Sequence, residues 1–92
     1  MERMTFKDEE GACAAPAETV QVEGGRASGP AIDRLAAFED AAELVEQQLA
    51  RTSAKLDELK AAGKLRSVTG QQLLAQKLAF SSTLTLMGMR EE

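Results

Sequence analysis

The most constraining feature of this 92-residue chain is the apolar spacing between Pro30 and Ala62. No glycine or further proline interrupts this stretch, and good helix formers dominate it. Apolar residues recur at alternating intervals of three and four, which is the a/d seam of a heptad pattern. The seam runs through Leu35, Phe38, Ala42, Val45, Leu49, Thr52, Leu56 and Leu59, of which only Thr52 is polar. This spacing predicts one long helix over residues 30–62.

Both ends of this helix carry terminal signals. Pro30 follows Gly29 and suits the first helical position, where proline loses no needed hydrogen bond. Gly63 suits the C-terminal end, and Lys60 in the last turn complements the negative end of the helix dipole. A turn over residues 63–68 is therefore expected.

The stretch VTGQQLLAQKLAFSSTLTLMGM, residues 68–89, contains a single charged residue, Lys77. It predicts a second helix over residues 69–88. Thr69 as N-cap and Gln72 form a capping box, and Val68 and Leu73 flank it as a hydrophobic staple.

The apolar residues of this second helix occupy three faces rather than one. These faces hold Leu73, Phe80, Leu84 and Met87, then Leu74 and Leu78, then Ala75, Ala79 and Leu86. A helix that is apolar around most of its circumference is normally buried on most sides. The single seam of the first helix cannot cover all three faces, so the pattern predicts an assembly of several hairpins or binding to another protein.

Residues 1–29 are rich in Gly, Ala, Pro and Ser, which predicts a flexible, irregular N-terminal arm. Within it, TVQVE alternates well enough for one short strand, and Gly24-Gly25 is able to turn that strand back on another extended piece. The predicted fold class is therefore all-α. Residues 30–92 form an antiparallel helical hairpin that assembles into an oligomeric bundle or coiled coil, behind the irregular arm.

The charge distribution disfavours nucleic acid as a partner. The net charge is −4, and residues 1–60 hold 13 acids and 7 bases. Residues 61–90 hold four bases and no acid, so the alternative hypothesis is a small regulator. It would bind nucleic acid or a transcription protein through the second helix and the basic turn, with Lys64 and Arg66 touching phosphate.

No catalytic, cofactor or metal residues are predicted. The chain lacks histidine, and its only cysteine, Cys13, has no basic neighbour close in sequence to make it reactive. Glu39, Glu43 and Glu46 share one side of the first helix and are interpreted as a solvated surface. The N-terminus lacks the apolar core of a signal peptide, and the longest uncharged run, residues 78–89, is shorter than a membrane span. These features predict a non-enzymatic cytoplasmic protein.

Two segments of the chain resemble segments of known proteins. RLAAFED, residues 34–40, and GKLRSVTGQQLLAQKL, residues 63–78, resemble segments of small proteins encoded by phages and prophages of Gram-positive bacteria. Such proteins often break after the first segment, whereas this chain continues as AAELVEQQ, which favours one unbroken helix here. The resemblance implies a phage origin and brings no activity with it.

The predicted function is an interaction or assembly protein acting through helix–helix packing, with itself as a homo-oligomer or with another phage or host protein. The predicted interaction surface comprises Leu35, Phe38, Val45, Leu49, Leu56, Leu59, Leu73, Leu78, Phe80, Leu84 and Met87.

Overall fold

The computed structural model describes residues 1–89 of the chain. It contains strands β1 (Phe6–Lys7), β2 (Cys13–Ala14), β3 (Gln21–Glu23) and β4 (Arg26–Ser28), and helices α1 (Pro30–Ala61) and α2 (Val68–Leu86). A short 3₁₀ turn, Ala17–Thr19, lies between β2 and β3. The chain divides into two compact units, residues 1–39 and residues 40–92. Residues 90–92, with which the predicted hairpin unit ends, lie outside the described part.

The first unit begins with an antiparallel hairpin in which Phe6 lies opposite Ala14 and Lys7 opposite Cys13. Asp8 organises its loop. The Asp8 carboxylate accepts hydrogen bonds from the backbone N–H groups of Glu10 and Ala12, both at 2.9 Å. The Asp8 carbonyl also accepts from the N–H of Gly11. These bonds close a three-residue hairpin loop that ends in a left-handed glycine, since Gly11 has a φ of 82°.

The second hairpin pairs β3 with β4, with Glu23 opposite Arg26 across the Gly24-Gly25 turn. Both glycines have positive φ, 57° and 77°. A two-residue turn of this primed type matches the twist of the flanking strands but requires positive φ at both central positions, which glycine adopts without steric cost. The strand that TVQVE predicts is therefore present, and so is its partner.

These two hairpins show that the predicted all-α fold class and irregular N-terminal arm are wrong. The strands are only two or three residues long, so period-two alternation scarcely registers in them. The decisive local signals are in the turns. Asp8 and the glycine three residues later form one of these signals, and the prediction of an irregular arm does not take it into account.

Helix α1 starts at Pro30 and ends at Ala61, against the predicted range of 30–62. Its C-terminal end is a Schellman motif. The N–H of Gly63 donates to the Lys60 carbonyl, and the N–H of Lys64 donates to the Leu59 carbonyl at 2.8 Å. These bonds satisfy carbonyl groups that the last helical turn leaves without partners. The same pair of bonds recurs after α2, from Gly88 to Thr85 and from Met89 to Leu84.

Helix α2 begins at Val68 with Ser67 as its N-cap, so the prediction of Thr69 as N-cap is wrong by two residues. The Ser67 hydroxyl accepts a hydrogen bond from the N–H of Gly70 at 3.1 Å and donates one to the Lys64 carbonyl at 2.7 Å. Gly70 is buried because the turn folds over it. A Cβ atom at Gly70 would lie 2.1 Å from the carbonyl oxygen of Leu65, so no larger residue fits without moving the turn.

Residues 40–61 and α2 form a helical hairpin. One cleft is lined by Glu46, Leu49, Ala50 and Ser53 of α1 together with Leu84 and Met89. Another is lined by Lys55, Glu58 and Leu59 together with Thr69 and Leu73. Because residues later in α1 meet residues earlier in α2, the two segments run antiparallel. The residues buried within this hairpin are Ala42, Thr52, Leu56, Gly70 and Leu84.

Candidate interaction surface

Most of the predicted interaction residues on the hairpin are turned toward its interior. Leu56 and Leu84 are buried, and Leu84 retains only 2% of its exposed area. A further set is half-buried: Val45, Leu49, Leu59, Leu73, Phe80 and Met87. The a/d seam of α1 and the Leu73–Met87 stripe of α2 are therefore largely used by the two helices of one chain.

The two clefts between these helices show where that packing is incomplete. The larger one has a volume of about 450 Å³ and is bordered by Leu49, Ala50, Ser53 and Leu84. Both polar and apolar side chains line it, and Glu46 is one of them. Among residues 1–89, its lining holds one carboxylate, that of Glu46, and no basic side chain.

Leu35 and Phe38 belong to the first unit, and they are exposed. They border an apolar cleft that is also lined by Met1, Met4 and Ala31. The guanidinium of Arg34 donates a hydrogen bond to the backbone carbonyl of Glu2 and so holds the N-terminal residues along the first turns of α1. The chain's own first residues thus cover part of this end of the seam.

Leu78 differs from the other predicted residues of α2 because it points to solvent, and it belongs to a larger exposed surface. We call this surface the outer face of α2: it comprises Val68, Gln71, Leu74, Ala75, Leu78, Ala79, Ser82 and Leu86, all exposed. The exposed fractions are 72% for Val68, 48% for Leu74, 61% for Leu78 and 88% for Leu86. None of these residues is charged. Lys77, the one charged residue of α2, falls on the stripe with Leu73, Phe80 and Leu84 by helical spacing.

The solvent side of α1 is chemically different. Leu44 is its large apolar side chain, 57% exposed. Around Leu44 lie Asp40, Glu43, Gln47 and Arg51, all exposed and mostly charged. A single exposed leucine among charges is ordinary for a protein surface, whereas several adjacent ones mark an interaction site.

The predicted surface includes Leu78 but neither Val68 nor Leu86. The sequence pattern predicts Val68 as part of a hydrophobic staple and Leu86 on a third apolar face of the helix. A signal for both exists in the sequence, because Val68, Ala75, Ala79, Ser82 and Leu86 follow one another at intervals of 7, 4, 3 and 4. That spacing places them on one line along the helix.

The side chains of residues 1–89 that could take part in metal binding or catalysis are separated from one another. Within residues 1–89, no three Cys, Asp or Glu side chains converge on a point where a metal ion could bind. Cys13 is exposed, and the hairpin register places it opposite Lys7, a neighbour that sequence distance hides. Lys64 and Arg66, on which the regulator hypothesis depends, are exposed in the turn. That hypothesis stays a prediction.

Neither α1 nor α2 combines the length and the apolar character that crossing a bilayer requires. Comparison with known proteins adds no relative, since no family model, no curated protein and no solved structure matches the chain. The fold of residues 1–89 and the chemistry of their surface are therefore what supports a functional assignment.

Proposed function

We propose that this chain is a non-enzymatic interaction or assembly protein that acts through helix packing and forms homo-oligomers. The observation that carries the proposal is the outer face of α2, an uncharged and largely aliphatic surface that the other residues of the helical hairpin, within residues 40–89, leave exposed. The proposed phage or prophage origin is supported by the resemblance at residues 34–40 and 63–78.

Exposure of this face has an energetic cost. Fully burying a valine or leucine side chain contributes roughly 1.5–3 kcal/mol relative to leaving it in water. Val68, Leu78 and Leu86 each keep more than half of their area exposed. A partner that covers these side chains would therefore gain several kcal/mol, before the cost of association is subtracted.

The core of the described residues is correspondingly small. Its buried apolar side chains are Ala42, Leu56 and Leu84, whereas twelve large apolar side chains of residues 1–89 are exposed. Soluble monomers usually hide most of their leucines and valines, and they expose such side chains singly rather than as a contiguous patch. Assembly would convert the exposed apolar surface into core.

Light scattering coupled to size-exclusion chromatography tests this proposal. We expect the wild-type chain to elute at a multiple of 9.8 kDa at tens of micromolar, and to dissociate on dilution. The variant Leu78→Glu places a charge on the outer face of α2 and should elute as a folded monomer. A tenfold or greater weakening of association is expected, because burying an unpaired carboxylate costs several kcal/mol.

The matched control is Ala54→Glu, which adds the same charge at an exposed position on α1 and should leave the oligomer intact. Circular dichroism checks that both variants keep their helix content. A wild-type chain that stays a folded monomer at all these concentrations would refute self-assembly.

A further inference from the structure

We infer that the outer face of α2 binds the same face of a second copy, with the two α2 helices antiparallel and related by a two-fold axis near Lys77. This inference rests on the proposed function and specifies the surface and the geometry through which the copies meet. Three features of the chain support it: the charge of the two helix surfaces, the arrangement of side chains along α2, and the length of the exposed surface.

Charge favours α2 over α1 as the surface of self-association. In a two-fold interface both copies use the same surface, so a surface with a net charge meets an equal net charge. Residues 40–61 of α1 hold five acids and three bases, a net charge of −2, and all eight side chains are exposed. The outer face of α2 carries no charge and therefore pairs with itself without this repulsion.

The order of side chains along α2 favours an antiparallel pair. Val68 and Leu86 lie at opposite ends of the outer face, 18 residues and therefore about 27 Å apart. An antiparallel pair centred near Lys77 places Val68 of each copy opposite Leu86 of the other. Ala75 and Ala79 then meet in the centre, where their small side chains allow the two helices to approach closely.

A parallel pair would be less favourable for electrostatic reasons. It would bring Lys64 and Arg66 of one copy beside the same two cations of the other, since both precede the start of α2. It would also align the two helix dipoles. The antiparallel pair separates the two basic turns by about the length of α2, so neither cost arises.

The length of the exposed surface favours a helix as the partner. Val68, Leu74, Leu78 and Leu86 are 72%, 48%, 61% and 88% exposed, and they extend along the whole of α2. At ~1.5 Å per residue this 19-residue helix is about 28 Å long. A second copy of α2 has the same length and the same uncharged side, so it covers this surface from end to end, whereas a short peptide would leave part of it in water.

Cross-linking of introduced cysteines tests the geometry. In a Cys13→Ser background, Val68→Cys and Leu86→Cys are prepared as two separate full-length proteins. A short bismaleimide is added to each protein alone and to an equimolar mixture. We expect a covalent dimer in the mixture, joining position 68 of one chain to position 86 of the other as read by mass spectrometry. Neither protein alone should cross-link, because like positions lie about 27 Å apart.

A second pair of variants is needed because Val68→Cys and Leu86→Cys each remove an aliphatic side chain from the proposed interface. Gln72→Cys and Ser82→Cys also face each other in the antiparallel arrangement, and they leave every aliphatic side chain of the outer face in place. Both positions are exposed. The mixture of these two proteins should cross-link more efficiently than either alone.

The outcomes separate this inference from the proposed function. Efficient cross-linking of each protein with itself would indicate a parallel pair and overturn the geometry. Absence of cross-links in both mixtures, while light scattering still shows an oligomer, would place the interface elsewhere and overturn the inference alone. A monomer in light scattering that cross-links in none of these mixtures would overturn the inference together with self-assembly.

Discussion

The two helices of the hairpin differ in what stabilises each of them. Helix α1 has 32 residues, is rich in Ala, Leu, Glu, Gln and Lys, and carries charged side chains toward solvent. Helix α2 has 19 residues, of which six are Ser, Thr or Gly, and its solvent side is uncharged. Ser, Thr and Gly are weaker helix formers than the residues of α1. Local sequence thus favours α1, whereas α2 depends more on its neighbours.

This difference indicates where the hairpin is vulnerable. Specific tertiary features hold α2 in place: the buried Leu84, the close contact of Gly70 with the turn, and the Ser67 cap. The solvent side of α1 has few such features, and substitutions there should cost little. Substitutions within α2 or just before it should therefore destabilise the hairpin more than substitutions on the solvent side of α1. Each of them can be paired with a similar substitution nearby as a control.

The largest effect is expected from Leu84→Ala, compared with Leu86→Ala in the same helix. Leu84 is 2% exposed and Leu86 is 88% exposed. Truncating a buried leucine leaves a cavity and should lower the free energy of unfolding by about 2–4 kcal/mol. Leu86→Ala should change it by less than about 0.5 kcal/mol in the monomer. Urea denaturation at low protein concentration measures both, and equal losses would contradict the assignment of inner and outer faces.

A smaller but still large effect is expected from Gly70→Ala. The added Cβ would lie 2.1 Å from the Leu65 carbonyl oxygen, so the turn must shift. Such overpacking should destabilise the hairpin by about 2 kcal/mol, even though alanine is the better helix former. Gln72→Ala, at an exposed position two residues later, is the control and should be nearly neutral. Thermal unfolding followed by circular dichroism measures the difference. A stabilising Gly70→Ala would mean that the turn does not pack over α2.

The smallest of the three effects distinguishes two candidate caps. Ser67→Ala removes the acceptor for the N–H of Gly70 and should cost about 1 kcal/mol. Thr69→Ala should cost at most a few tenths, because Thr69 lies inside the helix, where alanine has the higher propensity. Chemical denaturation of both variants decides between them, and a larger loss for Thr69→Ala would favour the N-cap that the sequence predicts.

Several elements follow from local sequence rules, and others do not. Pro30 and Gly63 mark the ends of α1, and TVQVE with its two glycines marks the second hairpin. The first hairpin was missed because its strands are too short to show alternation. The N-cap of α2 was misplaced because Ser67 and Thr69 are both good capping residues. Only the turn over Gly70 selects Ser67.

The position of the candidate interaction surface is a further feature that local sequence rules do not predict. From the sequence alone, α2 has apolar residues on nearly every side, so hydrophobic periodicity cannot say which of them face α1. The structure turns Leu73, Phe80 and Leu84 inward and leaves Leu74, Leu78 and Leu86 outside. The interpretation of α2 as a helix with more apolar surface than its partner can cover needed only the sequence. The identity of the uncovered side needed the tertiary structure.

The amino-acid sequence by itself determined the two helices, the break between them and the excess of apolar residues in the second, because these depend on backbone preferences and on spacing along the chain. The tertiary structure alone decided which stripe of α2 is buried and which is the outer face. The physical reason is that burial is a property of pairs of surfaces, and one helix cannot specify its inner side until another lies against it.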